Sequence, residues 1–93
     1  MSRFTRLVHR VDSNQRTIVA ALRAVGATVE SLGGKGVPDL LVGFLGRNYL
    51  LEVKARKKRL NVHQEKWHVG WGGQVAIVRT IADALEAIGI ERE

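Results

Sequence analysis

The chain has no cysteine, which excludes a disulfide scaffold, a thiolate zinc site and a cysteine nucleophile together. It has a single proline, Pro38, and no low-complexity stretch, linker or internal repeat. No apolar run approaches the roughly 18 residues a membrane span needs, and the N-terminus carries no apolar signal segment. A cytoplasmic protein is the expectation. What is present is 93 residues with 45% hydrophobic content, enough for one domain over 1–93 with one modest core. Fifteen Lys and Arg against nine Asp and Glu give a net charge of +6. Such a balance favours a polyanionic partner, most often nucleic acid, and says nothing by itself about chemistry.

Residues 1–10 are basic and lack clean periodicity, as in an arm or a short strand. Asp12 and Gln15 read as a capping box opening a helix whose apolar positions are Ile18, Val19, Leu22 and Val25, stopped by Gly26. Thr28 to Leu32 alternates like a strand, and Gly33 to Gly36 is a flexible turn. Asp39 to Phe44 and Tyr49 to Lys54 read as a β-hairpin. A helix is expected over Val62 to Trp71, a strand over Gln74 to Val78, and a last helix capped by Thr80 and running to Gly89. This order implies an α/β sandwich, a small mixed β-sheet flanked by helices.

The hairpin concentrates the chemistry. With a two-residue turn at Gly46-Arg47, Phe44 lies opposite Tyr49, Val42 opposite Leu51, Leu40 opposite Val53 and Asp39 opposite Lys54. One face then carries Leu40, Val42, Phe44, Tyr49, Leu51 and Val53 and forms core. The other gathers Asp39, Glu52 and Lys54 at its open end, beyond Leu41, Gly43 and Leu50. Two carboxylates this close repel unless a cation or a proton intervenes. Oxygen ligands suit a hard ion such as Mg²⁺, with the Val53 carbonyl as a third donor. Such an ion acidifies a bound water and offsets phosphorane charge, and Lys54 would orient that water. The same spacing also suits a plain Asp39–Lys54 cross-strand ion pair with Glu52 as a solvated edge residue.

Gly36-Val37-Pro38-Asp39, followed after 12 residues by Glu52-Val53-Lys54, resembles the PD-(D/E)XK nuclease signature. The wider pattern, GKGVPDLLVG, NYLLEVK and QEKWH, is similar to the VRR-NUC branch, in particular its small stand-alone phage and prophage members. The resemblance implies a restriction-endonuclease-like core and an Mg²⁺- or Mn²⁺-dependent endonuclease. In it Asp39 and Glu52 hold the ion and Lys54 is the catalytic lysine. Gln64 matches the glutamine that the family places on the helix after this strand, near the scissile phosphate or a metal-bound water. The family's first-helix glutamate has Gln15 as its nearest candidate. A neutral amide there weakens the case for a second ion, and the capping-box reading of Gln15 competes with it. Branched DNA such as a four-way junction, a homodimer whose dyad matches paired cuts, and a bacterial or phage-infected cytoplasm are likewise implied. A partner protein that supplies specificity is compatible with so small a nuclease.

Arg56, Lys57, Lys58 and Arg59 continue the basic run from Lys54 and are candidate phosphate contacts, with Lys35 and Lys66 as further ones. Lys35 is followed by Gly36 and leads into a strand, so its loop is not a phosphate loop of Walker type. His63 and His68 are five apart and point to different sides of a helix, which argues against a shared metal. Trp67 and Trp71 lie one turn apart and read as core or subunit contact rather than base-stacking platforms. The rival function is a non-catalytic basic module that binds nucleic acid, and a small RNA-associated structural protein ranks behind it. Neither gives a reason for Asp39, Glu52 and Lys54 to share a face. No feature separates a DNA from an RNA substrate.

Overall fold

Ile18 and Leu22, four residues apart, fall on one side of helix α1 (Ser13–Ala24) and are fully buried. The helix ends where Gly26 takes φ +98 and Ala27 N–H closes onto Leu22 O at 3.1 Å. In this computed structural model residues 13–91 are described. The basic opening segment and Asp12 therefore lie outside the described residues. Strands β1 (Thr28–Ser31), β2 (Leu40–Phe44) and β3 (Arg47–Val53) follow, then α2 (Val62–Gly70), β4 (Ala76–Val78) and α3 (Ile81–Ala87). This is the element order expected, and Thr80 caps α3 by accepting from Asp83 N–H.

The sheet runs β1-β2-β3-β4, with the first three strands antiparallel and β4 parallel to β3 across the α2 crossover. Leu40, Val42, Leu51 and Val53 are buried against Ile18, Leu22, Ala84 and Ile88, so α1 and α3 cover one face. The alternate residues point the other way, where Leu41 is exposed and α2 meets the Glu52 end. The result is a small mixed α/β fold. Among the described residues no helix is long and apolar enough to cross a membrane.

Three expectations need correction. First, the hairpin turns on Leu45-Gly46, at φ 51 and φ 80, rather than on Gly46-Arg47. Leu40 consequently pairs with Leu51, Val42 with Tyr49 and Phe44 with Arg47, so Asp39 is not opposite Lys54. Partners move by two positions, which leaves each side chain on its expected face. Second, β4 begins at Ala76 rather than Gln74. The Gln74 side chain takes the place of backbone there, accepting from Leu50 N–H at 2.6 Å and donating to Leu50 O at 3.3 Å. Third, of the core and subunit-contact readings of Trp71 the core one is excluded: the side chain is 44% exposed and stacks on Trp67 with centroids 4.8 Å apart.

Leu45 stands in the left-handed region, which costs a non-glycine residue about 1 kcal/mol, while its side chain is 85% exposed and packs little. Two positive φ values in a row favour Asn-Gly. Leu45→Asn is expected to raise the melting temperature by roughly 4–8 °C, the equivalent of about 1 kcal/mol in a domain of this size. A thermal melt that moves downward would contradict the turn assignment.

Candidate active site

The glycine loop delivers Asp39. Gly36, at φ +79, turns the chain into a buried Pro38, and Asp39 O accepts from Leu32 N–H at 2.8 Å. The Asp39 carboxylate reaches across to β3, where Oδ2 accepts from Val53 N–H at 2.9 Å. Beside it Glu52 is 1% exposed. Burial first, then the neighbouring Asp39 carboxylate, push the Glu52 carboxyl up to about 8, against an opposing pull from Lys54. The corrected register explains the closeness: with Leu40 opposite Leu51, Asp39 falls alongside Glu52 and Val53.

Helix α2 grips Glu52 from the other side. Asn61 caps it by accepting from Gln64 N–H, and Gln64 Oε1 accepts from Asn61 N–H, both at 2.9 Å. That capping box fixes which way the Gln64 amide faces, so its Nε2 donates to Glu52 Oε2 at 3.1 Å. One side chain thus both starts the helix and ties it to the strand. His68, one turn on, brings Nε2 within 3.9 Å of Glu52 Oε1, and burial lowers the imidazole's pKa. Sequence reasoning missed His68, although Gln64 and His68 at i and i+4 share a helix face. His63 points elsewhere and is exposed, and its backbone carbonyl lies against Gly36.

At the end of β3, Lys54 N–H donates to Val78 O at 3.0 Å. Asn14 on α1 donates from Nδ2 to Lys54 O at 3.1 Å and to Arg79 O at 3.2 Å, pinning both strand ends. Its neighbour Gln15 lines a separate depression with Arg16, Val19, Arg23 and Ser31. Arg79 donates from Nη1 to Ala55 O at 3.0 Å and Lys58 O at 2.6 Å, so the basic loop is held in place. Arg56, Lys57, Lys58 and Arg59 are all exposed on it, as are Lys35 on the glycine loop and Lys66 on α2.

Two adjacent acids, one of them fully buried, beside a lysine and a strand end, make a site that a divalent cation can take by displacing the Glu52 proton. Among the described residues no group of three or more His, Cys, Asp or Glu side chains gathers as a cage. The donor set is thus two carboxylates with backbone. In a strand the N–H and C=O of one residue point to the same side, so the Val53 carbonyl faces the side of Asp39. The oxygen-only set suits Mg²⁺ or Mn²⁺.

The fold is that of a nuclease-type α/β domain. The structure is similar to a solved VRR_NUC domain, with a TM-score of 0.65 and 28% sequence identity over 80% of this chain and 88% of that one. No protein-family model and no curated protein sequence matches the chain.

Proposed function

We propose that this chain is an Mg²⁺- or Mn²⁺-dependent endonuclease that hydrolyses DNA phosphodiester bonds in branched substrates, four-way junctions among them, as a homodimer. The observation that carries the reading is the buried Glu52 carboxyl beside Asp39 at the end of β3, gripped by Gln64 and flanked by Lys54. Asp39, Glu52 and the Val53 carbonyl hold the ion. When bound, the ion supplies positive charge against the phosphorane and acidifies an attacking water. Lys54 steers that water and offsets developing negative charge, while Gln64 keeps Glu52 aimed. Gln15, on the first helix, stands as the further candidate, from the separate depression that it lines with Arg16 and Ser31.

Arg56 to Arg59, with Lys35 and Lys66, hold the DNA backbone. Changing Lys57 and Lys58 together to alanine is expected to weaken binding and lower the slope of log affinity against log salt by about 2. Fluorescence anisotropy across a salt series checks this, and an unchanged slope moves the DNA surface elsewhere. Dimerisation is supported by the open sheet face, where Leu41, Trp71 and Ile77 are 37%, 44% and 40% exposed. Its working compartment is a bacterial or phage-infected cytoplasm, with a partner protein free to add specificity.

The test is a cleavage assay comparing a labelled four-way junction, a splayed duplex, linear duplex and single strand in Mg²⁺, Mn²⁺ or EDTA. Paired, metal-dependent cuts in the junction that vanish in Asp39→Ala support the reading. Binding without cutting in either metal supports the non-catalytic module instead.

A further inference from the structure

The Glu52 carboxylate has two oxygens in a nearly dry setting, and only one has a donor on α2. Oε2 receives Gln64 Nε2, while Oε1 is buried with no hydrogen-bond partner. His68 Nε2 is buried too, equally without a partner, and the two orphaned atoms face each other across 3.9 Å. Buried polar atoms are nearly always satisfied, and two left unmatched side by side point to an interaction that closes in the working state. The gap is about 1 Å longer than an N–H···O hydrogen bond. The imidazole is held edge-on to Trp67, with centroids 5.9 Å apart, and Trp67 in turn stacks on Trp71.

We propose that His68 is a positioning residue for metal binding: its Nε2–H closes onto Glu52 Oε1 when an ion takes the carboxylate pair. With Gln64 it forms a two-pronged grip that holds the carboxylate plane. This rests on the reading of Asp39 and Glu52 as metal ligands and adds to it the part that α2 plays. Partners of this kind orient a ligand and raise its affinity, and their loss typically weakens metal binding 10- to 100-fold. Trp67, itself stacked on Trp71, meets the imidazole edge-on, which gives that side chain a use outside the core.

Isothermal titration of Mn²⁺ into the whole protein separates the possibilities. Wild type should bind; His68→Ala should bind at least about tenfold more weakly; and His68→Gln, whose amide nitrogen reaches as far as Nε2, should recover most of the loss. DNA binding in EDTA should be the same for all three. Wild-type affinity in His68→Ala overturns the role of His68 alone, whereas no Mn²⁺ binding by wild type overturns the ligand assignment beneath it. If His68→Ala fails to fold, nitrogen NMR of the unaltered protein decides. A proton on His68 Nε2 whose signal moves when Mg²⁺ is added supports the grip, and a bare Nε2 overturns it.

Discussion

Glu52→Gln is expected to abolish cleavage, by about 10³-fold or more, and at the same time to make the metal-free protein more stable at alkaline pH. The first effect follows, on the proposed function, from removing one of the two charged ligands assigned to the ion: a loss of that size corresponds to about 4 kcal/mol of transition-state stabilisation. The second follows from the proton. Glu52 is pushed from 4.5 to about 8 by burial and by Asp39, so the folded protein keeps a proton that the unfolded chain releases above 4.5. Stability from this group is complete below pH 4.5, falls as pH rises through the window to about 8, and is level beyond it. An amide in place of the acid has no proton to lose. The variant should therefore be more stable than wild type near pH 9 and show a flatter pH profile. Chemical denaturation from pH 5 to 9 in EDTA measures it. A wild type whose stability does not fall across that window would mean that Glu52 ionises freely and that burial beside Asp39 does not hold its proton. The same competition makes metal binding release a proton, so affinity for Mg²⁺ should rise with pH until about 8.

Gly36→Ala is expected to be the most damaging of the glycine-to-alanine changes among the described residues. A Cβ at that position would stand 2.5 Å from His63 O, and the backbone there has φ +79. The obstacle is backbone in the first turn of α2, so no side-chain rotation relieves it. Strain of both kinds should cost about 3 kcal/mol, which lowers the melting temperature by roughly 10–20 °C. Cleavage should fall beyond what the stability loss explains. The loop carries Asp39 and the helix carries Gln64, so pushing them apart opens the site from both sides. Gly33→Ala is the control, because nothing lies within 4 Å of its added methyl. Equal melting temperatures for the two variants would show that the loop does not press on α2.

Much of this was legible in the order of residues. The alternation of Leu40, Val42, Leu51 and Val53 against Leu41, Leu50 and Glu52 assigns the faces of the hairpin, and the structure keeps that assignment. The register was not legible. Turning on Leu45-Gly46 or on Gly46-Arg47 shifts partners by two, and a period of two cannot tell those apart. Local turn chemistry favours the version that spares Leu45 a positive φ. The observed version instead lets Asp39 meet Val53 N–H and the core close. Gln64 was singled out only through resemblance, and Asn61 not at all. The Asn-x-x-Gln pattern that opens α2 was present to be read as a capping box, yet its link to Glu52 needs the crossover to have folded.

By itself the sequence determined the kinds of element, their order, the buried face of the sheet and the end of the hairpin where Asp39, Glu52 and Lys54 gather. These depend on side-chain period and on glycine, proline and cap positions, which act over a few residues. The tertiary structure alone decided that Asp39 sits beside Glu52, that Gln64 and His68 come over it, and that the carboxyl is dry enough to hold a proton near pH 8. Desolvation is a property of everything that surrounds a group. For Glu52 those surroundings come from β2, β3 and α2, which only the folded chain brings together.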